Sequence, residues 1–432
     1  MARRRSQPRS HLPLPPLTMK RRRSPRKLRK QQVDHLSNLP DALLITILSL
    51  LSLKEAACTS VVSSRFRNLW TACPNLEIAR WEFPFGRRFV DVTTRCLRLR
   101  LRNPEIKLLN FSIHSGGRDR DVPVYSISKW LKYAHSLGVQ ELTVNVYFDH
   151  SCSLLPLIFS LSSIQSLVFR THAVRTDGME PILSDIIRLT HLKSLHLRID
   201  MHHLDLTRLL NAQKDLEYLW LGNVNVEKIN IELQKLKVLK VLPARTTPTE
   251  MNLFLPLLET LELAISLHGV LKCFKGKIPR VRKASIYIPK LQVKSVPLLG
   301  QILSCIAIVE ELNLYIEKMF IIGDNWNFHP LVEQGKELPT FPNLRKLKVY
   351  VLCHEKSIQD VVSLLHHAPV LESLKLVHAG PAGDWNKNAW VQSKLPRDAL
   401  DDNDQAYFSD LQNNENKNEL IKLLTILGSK IG

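Results

Sequence analysis

The sequence is poor in glycine and lacks long apolar runs. Glycine occurs 15 times in 432 residues, and neither GxGxxG nor GxxxxGK[ST] is present, which argues against nucleotide-binding folds built on glycine-rich loops. The longest apolar runs, Ala42–Leu53 and Val296–Val309, are shorter than the ~20 residues that cross a bilayer. His11–Leu17 is broken by three prolines and makes a poor signal peptide. We therefore expect the chain to lie inside the cell and to span no membrane.

Residues that carry catalysis or bind metals show no recognisable pattern. The seven cysteines contain no CxxC pair, which is typical of reduced thiols. Sixteen histidines form no HExxH motif, and no GxSxG is present. His202, His203 and Asp205 are the best metal-like group, but adjacent strand residues point to opposite faces, so we interpret them as ordinary surface residues. We predict no catalytic residue, no metal ligand, no cofactor and no enzymatic activity.

Positive charge is concentrated at the N-terminus. Residues 1–32 contain 12 lysines and arginines and no acidic residue, whereas the rest of the chain carries only +8 of the net charge of +20. We interpret residues 1–33 as a disordered basic tail. It has the composition of a nuclear localisation signal, and the alternative is a solvated tail that no receptor reads. The signal residues would be Lys20, Arg21, Arg22, Arg23, Arg26, Lys27, Arg29 and Lys30.

Residues 34–74 have the pattern of three short helices. Pro40 suits a first helical position, and apolar residues then recur at helical spacing through Leu51. Ser52 and Glu55 match a capping box that begins a second helix, and a third would end before Pro74. A unit of this size has more apolar side chains than it can bury, and we therefore expect apolar residues of this segment to face a partner. These are Leu39, Pro40, Leu43, Ile47, Leu48, Val61, Leu69 and Trp70.

The same segment resembles a plant F-box over about 40 residues. The matching stretches are DHLSNLPDALL at 34–44, ILS at 47–49, KEAA at 54–57, TSVVS at 59–63, Arg65, and LW at 69–70. Ser52, Cys58 and Phe66 stand where proline, arginine and tryptophan are common. The resemblance implies that this unit binds the Skp-type adaptor of a Skp–cullin–F-box ubiquitin ligase through the apolar residues named above. The rest of the chain would then hold a target protein of unknown identity.

Residues 75–380 repeat the leucine-rich pattern LxxLxL, and leucine occurs 74 times in the chain. Eleven apolar triplets follow one another at 20 to 35 residues, mostly near the 20–29 spacing of leucine-rich repeats. Segments such as Pro181–Leu189 and Ile358–His366 have helical spacing. We predict an α/β repeat fold, a leucine-rich-repeat solenoid, because no repeat buries its apolar face alone. The triplets begin at residues 106, 139, 164, 192, 216, 236, 258, 281, 309, 344 and 371.

The residue between the two apolar positions of each LxL, and those flanking them, point outward to the concave side of such a solenoid. Exposed aromatic residues with arginine nearby are typical of binding hot spots, so these positions are the predicted target-binding residues. A register error of one residue would reverse every side chain. The residues are Arg170, His196, Arg198, Tyr218, Trp220, Lys240, Tyr287 and Tyr315.

The C-terminal segment, residues 381–432, is polar and is predicted to be largely disordered. Phe341–Leu376 resembles the region that precedes the FBD module of plant F-box/leucine-rich-repeat proteins, although a complete FBD is not evident. An alternative function is a nuclear scaffold whose basic tail binds nucleic acid or chromatin. We place it second, because no aromatic residues alternate with the basic residues of the tail. The expected location is the nucleus, the cytoplasm or both.

Overall fold

The computed structural model describes residues 36, 38–83, 85–102, 107–115, 122–146, 151–171, 191–199, 206–222, 228–242, 250–264, 273–289, 296–317, 338–351, 364–378 and 405–409. The basic tail with its predicted localisation signal, the His202 group and Pro181–Leu189 lie outside the described residues. The α-helices are α1 Asp41–Leu48, α2 Leu53–Cys58, α3 Gly86–Leu101, α4 Val124–Ser136, α5 Leu155–Phe159, α6 Leu206–Asn211 and α7 Val296–Cys305. Short 3-10 helices are Thr59–Val61, Leu69–Ala72, Arg80–Glu82 and Ser151–Leu154.

The strands form two sheets. They are β1 Asn75–Ala79, β2 Asn110–Ser115, β3 Glu141–Val146, β4 Ser166–Arg170, β5 Ser194–Arg198, β6 Tyr218–Gly222, β7 Lys228–Glu232, β8 Val238–Val241, β9 Glu250–Phe254, β10 Thr260–Ala264, β11 Cys273–Lys277, β12 Lys283–Pro289, β13 Glu311–Glu317, β14 Lys346–Val351, β15 Ser373–His378 and β16 Gln405–Ser409. The larger sheet has 13 strands in the order β1-β2-β3-β4-β5-β6-β8-β10-β12-β13-β14-β15-β16, and the smaller has the order β11-β9-β7. Among the helices of these ranges, none is long and apolar enough to span a membrane.

The N-terminal unit is helical, as predicted, up to residue 61. Pro40 is the N-cap of α1, one position earlier than expected, and its carbonyl accepts the amides of Leu43 and Leu44 at 3.0 and 3.1 Å. The capping box of α2 is confirmed, because the Ser52 hydroxyl accepts from the Glu55 amide and Glu55 accepts from the Ser52 amide at 3.0 Å. Two of the backbone N–H groups that have no partner within this short helix are thereby satisfied.

The third helix of this unit is not an α-helix, which corrects the sequence prediction. Residues 64–68 form turns, and only Leu69–Ala72 form a 3-10 helix. Side chains take the carbonyls that an α-helix would use: the Thr71 hydroxyl donates to the Asn68 carbonyl at 2.7 Å and the Trp70 indole to the Arg67 carbonyl at 3.1 Å. Such local bonds compete with the helical ladder.

Twelve strands of the larger sheet run parallel and in one register. Ten of the eleven predicted triplets supply the inward residues of β3 to β15, and their described side chains are buried. The first triplet, beginning at Ile106, is wrong by two residues, because Phe111 and Ile113 pair with Leu142 and Val144. The sequence analysis also missed β1, whose inward residues are Leu76 and Ile78. One apolar core runs from Leu76 to Leu374.

The repeats are joined by a recurring backbone arrangement at the start of each strand. One carbonyl of the preceding repeat accepts two consecutive amides: Lys193 accepts from residues 217 and 218 at 2.8 and 3.0 Å, and Glu217 from residues 237 and 238 at 2.8 and 3.1 Å. The same pattern recurs from the Pro74 carbonyl to the Arg345 carbonyl. Backbone amides therefore satisfy these carbonyls, and no side chain is needed for it.

A second layer covers part of the core. The sequence analysis found helical spacing in segments between the triplets, and α6 and α7 lie in such segments, but it missed the three-stranded parallel sheet. Buried Ile229, Ile231, Met251 and Leu253 join the same core as the large sheet. The side chain of Asn211 at the end of α6 accepts from the Glu232 amide at 3.0 Å and donates to the Asn230 carbonyl, which closes the β7 edge.

One strand lies in the C-terminal segment. Gln405–Ser409 pairs antiparallel with Ser373–His378. The prediction that residues 381–432 are largely disordered did not include this strand, and the rest of that segment lies outside the described residues. The sequence of the strand, QAYFS, contains two aromatic residues with high β-propensity, which a judgement based on the polar composition of the whole segment overlooked.

Candidate protein-binding surfaces

Helix α1 divides its apolar residues between two faces. Leu44 and Leu48, one turn apart, are 1% and 3% exposed, whereas Leu43 and Ile47, also one turn apart, are 51% and 40% exposed. Residues four positions apart share a helix face, so the exposed pair forms a stripe that the unit itself does not cover. Water contact of such side chains is unfavourable by about 25 cal/mol per Å² of apolar surface.

The eight predicted adaptor-binding residues separate into three groups. Pro40, Leu43, Ile47 and Val61 are exposed, and Leu39, Leu69 and Trp70 are partly buried. Leu48 is buried with Ala56 and Cys73 in the small core of the unit, where Leu69 and Trp70 also pack. The structure therefore assigns Leu48 to the core, which corrects its prediction as a surface residue. The helical spacing of Leu48 could not distinguish the inner face from the outer one.

Four further exposed apolar residues were missed. They are Leu36, Leu50, Leu51 and Val62. Leu50 and Val62 are 84% and 63% exposed, more than most of the predicted set. Leu50 and Leu51 follow the end of α1, and the available signal was the group of four apolar residues from position 47 to position 51, interrupted only by Ser49.

A polar contact holds the outer part of this unit together. The Arg65 guanidinium contacts the Asp41 carboxylate at 2.5 Å and donates to the Leu39 carbonyl at 2.5 Å. Both side chains are solvent-accessible, so the pair contributes little to the free energy of unfolding. Its effect is positional, because it ties the turns of residues 64–68 to the start of α1.

The second surface is the face of the large sheet opposite its core, here called the outer face. Neighbouring strands place Val168, His196, Trp220, Lys240 and Glu262 side by side in one row. A parallel row contains Arg170 and Arg198, paired in register. The predicted outward register is thus confirmed, because the alternating leucines of these strands are buried.

Three side chains form a stack on the outer face. The His196 and Trp220 rings lie 3.7 Å apart between centroids, with planes 19° apart, and Arg170 Nε donates to His196 Nε2 at 3.0 Å. Because Nε2 accepts this bond, the imidazole is neutral with its proton on Nδ1. Burial, together with the charges of Arg170 and Arg198, lowers the pKa of His196 to about 3.

The predicted aromatic hot spots are more enclosed than expected. Trp220 is 7% and Tyr315 is 3% exposed, although both occupy outward positions. Trp220 lies beneath His196 and over Gly222, where a Cβ would overlap its ring. Tyr315 stacks on Tyr287 at 4.4 Å between centroids. Neighbouring outward rings bury one another. This corrects the prediction that Trp220 and Tyr315 are exposed aromatic residues.

The remaining predicted residues of this surface are partly accessible. Arg170, His196, Arg198, Tyr218, Lys240 and Tyr287 are all half-buried. Lys240 Nζ contacts the Glu262 carboxylate at 2.7 Å. Burial raises the pKa of Tyr218, so its hydroxyl remains protonated and can donate a hydrogen bond. The outer face around β4 to β8 therefore offers two arginines and polar aromatic edges to a partner.

Comparisons with known proteins match both parts of the chain. Residues 36–77 match the F-box domain family, and residues 102–393, more than half of the chain, match the family described as At1g61320/AtMIF1, LRR domain. The putative F-box/LRR-repeat protein At5g38386 of Arabidopsis thaliana is 37% identical over 150 residues, which are 32% of this chain and 35% of the relative. The putative F-box/LRR-repeat protein At3g18150 of the same plant is 24% identical over 365 residues, 81% of this chain and 73% of the relative.

A third relative, the Arabidopsis F-box/FBD/LRR-repeat protein At5g22660, is 31% identical over 176 residues, which are 40% of this chain and 36% of the relative. The matched region spans about a third of the length of this relative and of At5g38386. The exposed apolar stripe lies within the F-box match, and the outer-face residues of β4 to β10 lie within the repeat match. The chain belongs to the plant F-box/leucine-rich-repeat family.

Proposed function

We propose that this protein is the substrate-recognition subunit of a Skp–cullin–F-box ubiquitin ligase. Its F-box binds the Skp-type adaptor, and its leucine-rich repeats, stacked as a solenoid, hold a target protein. The chain performs no chemistry itself. It raises the effective concentration of the target near the ubiquitin-transferring subunits by tethering.

The observation that carries this proposal is the exposure of apolar side chains on the F-box. Between residues 36 and 62 seven large apolar residues are exposed, and Val61 reaches 90%. Clusters of exposed apolar residues on a soluble domain mark interaction sites. An adaptor with a complementary apolar groove would remove these side chains from water.

Adaptor binding tests the proposal with substitutions chosen by exposure. Leu43→Ala combined with Ile47→Ala removes two exposed side chains, and we expect adaptor affinity to fall at least tenfold with the thermal unfolding midpoint unchanged. The matched control is Ile308→Ala with Val370→Ala, two side chains of the repeat region that are similarly exposed, at 37% and 46%. Unchanged adaptor affinity in the F-box variant would contradict the proposed interface.

The outer face of the repeats is the proposed target site. Arg170 and Arg198 lie side by side there and are partly accessible, so a target with acidic groups would match them. We expect the full-length variant Arg170→Glu with Arg198→Glu to retain the adaptor and to lose proteins that the unmodified chain captures. Capture of the same set by both would place the target elsewhere.

A nuclear scaffold that binds nucleic acid is the second candidate. The observation in its favour is the run of 12 basic residues without an acid in residues 1–32. Binding through such a tail would weaken steeply with salt and ignore sequence. Deletion of residues 1–32 should abolish nucleic-acid binding under this hypothesis and leave adaptor binding intact. The proposed location is the nucleus, the cytoplasm or both, and loss of nuclear accumulation after this deletion would assign the signal to the tail.

A further inference from the structure

Positive charge outside the tail is concentrated on α3 and α4. Residues 86–136 contain 11 basic and 4 acidic residues, a net charge of +7, whereas residues 33–432 as a whole carry only +8. The connection between the two helices, residues 103–123, contains three residues of each sign and does not offset this charge. The two helices therefore carry nearly all the net charge of the chain outside its tail.

The outward face of α3 carries arginines along its whole length. The opposite face buries Phe89 and Leu97 in the apolar core, so α3 lies on the core side of the sheet. The exposed arginines follow one side of the helix for about 22 Å. They are Arg87, Arg88, Arg95, Arg98 and Arg102, and Asp91 is the one acidic residue of the helix.

Two tyrosines and two lysines of α4 extend this surface. Tyr125 is 72% exposed, and Lys129 Nζ lies 6.0 Å from the Tyr125 ring centroid and 5.8 Å from that of Tyr133. Lys132 is exposed on the same helix. The Arg98 guanidinium, and after it Lys129, lowers the pKa of the Tyr133 hydroxyl, so side chains of the two helices meet there. These four residues and the exposed arginines of α3 are here called the basic face.

The stability of the helix does not explain this charge. The two arginines in the first turn of α3 lie at the positive end of the helix dipole, and Arg98 lies three and four positions from the like charges of Arg95 and Arg102. On the sheet, cations pair with carboxylates of neighbouring strands, as Lys237 does with Glu217 at 2.7 Å. The ion pairs formed among the described residues include none from the basic face.

We propose that the basic face binds single-stranded nucleic acid without sequence preference. Its arginines and lysines contact the phosphates, and the exposed ring of Tyr125 stacks on a base. Aromatic rings alternate here with basic side chains, which is the feature that the basic tail lacks. The basic face is separate from the apolar stripe of α1 and from the outer face of the sheet, so this activity does not depend on the proposed ligase function.

The composition of the basic face favours a single strand over other polyanions. The apolar faces of α3 and α4 are buried in the core, so neither helix can insert an apolar face into an anionic membrane. In a duplex the faces of the bases are already stacked on one another, whereas a single strand offers them to an exposed ring. Tyr125, at the surface and beside Lys129, meets that requirement.

Fluorescence anisotropy of the full chain tests the phosphate contacts, with labelled oligo(U), oligo(dT) and a DNA duplex of equal length. We expect Arg95→Gln with Arg98→Gln and Arg102→Gln to weaken binding of both single strands about tenfold. The slope of log affinity against log salt should become shallower by about 2, because each single-strand phosphate contact contributes about 0.7. The unfolding midpoint should not change, because these side chains are exposed.

The matched control removes the same charge elsewhere. Lys214→Gln with Lys275→Gln and Arg280→Gln changes three exposed residues of the repeat region, and it should leave both the affinity and the salt slope nearly unchanged. Equal losses in the two triple variants would contradict a localised site. Complete loss of single-strand binding on deletion of residues 1–32 would assign the binding to the tail and overturn the proposal.

A second substitution tests stacking independently of charge. Tyr125→Ala should weaken single-strand binding about fivefold or more and leave duplex binding unchanged, whereas Tyr125→Phe keeps the ring and should bind as the unmodified chain does. Unchanged single-strand affinity in Tyr125→Ala would overturn the proposal. Tighter binding of the duplex, of polyglutamate or of phosphatidylserine vesicles than of the single strands would also overturn it.

Discussion

The F-box and the repeat sheet differ in how far they bury their large apolar residues. In the sheet, the inward residues of each strand are almost completely buried, as Leu219 and Leu261 illustrate at 0% exposure. In the F-box, seven of the fifteen exposed large apolar residues of the described chain lie between positions 36 and 62. A repeat array covers each apolar face with the next repeat, whereas a single unit of about 40 residues has no such neighbour.

The two regions also differ in which groups pair with their backbone amides and carbonyls. The sheet repeats one backbone arrangement, in which a single carbonyl accepts two amides of the next repeat, and it does so from Pro74 to Arg345. The F-box uses side chains instead, at Ser52 and Glu55, Thr71, and Trp70. Stacking therefore stabilises the sheet with little dependence on particular polar residues, whereas the F-box depends on individual ones.

The largest expected loss of stability comes from a cavity in the sheet. Leu261→Ala removes a fully buried side chain from β10, and we expect the free energy of unfolding to fall by about 3 kcal/mol. Val61→Ala in the F-box, at 90% exposure, should change it by less than about 0.5 kcal/mol. Urea denaturation followed by circular dichroism measures both. Equal losses from the two variants would remove the distinction between the regions.

Gly222→Ala tests whether the outer face of the sheet is packed as tightly as its core. The new Cβ would overlap the Trp220 ring, so the ring must leave its position beneath His196. We expect a loss of about 1–3 kcal/mol from overpacking. Tryptophan fluorescence should shift to longer wavelength as the indole meets water.

The sequence was most informative where a pattern repeats. Ten triplets predicted their strands in the correct register because each repeat meets the same constraint from its neighbours. The first strands were harder: Leu109 fits the template, yet it is exposed and Leu108 is buried, since β2 pairs with β1, which begins directly after the F-box. A template applied to β2 alone cannot include that neighbour.

Features that depend on contacts between distant residues were not predictable. The three-stranded sheet joins residues 228–232, 250–254 and 273–277, and its short strands carry no repeated signal. The burial of Trp220 depends on His196 from another repeat and on the absence of a side chain at Gly222. The hydrogen bonds from the buried Arg100 guanidinium to the Trp70 and Cys73 carbonyls join residues about 30 positions apart, which no local pattern indicates.

A smaller effect on the free energy of unfolding is expected from the protonation of His196. Its folded pKa, about 3, is below the ordinary value of 6.5, so the native imidazole stays neutral where the unfolded one takes up a proton. This contribution to stability is complete above pH 6.5 and is lost as the pH falls from 6.5 towards 3. We expect the unfolding midpoint of the unmodified chain to fall more between pH 7.5 and pH 4.5 than that of His196→Asn. Identical falls in the two proteins would contradict a buried neutral imidazole.

The smallest expected effect concerns the individual polar residues on which the F-box depends. Ser52→Ala removes the N-cap of α2, and we expect a loss of about 1 kcal/mol, confined to the F-box. Ser64→Ala is the control, because Ser64 lies in a turn of the same unit and uses its backbone carbonyl there. Hydrogen exchange localises the effect: amides of residues 53–58 should exchange faster in Ser52→Ala, while those of β5 to β8 should not change. Faster exchange in the strands as well would show that the F-box and the sheet unfold together. The two regions would then differ in the exposure of their apolar residues but not in their stability.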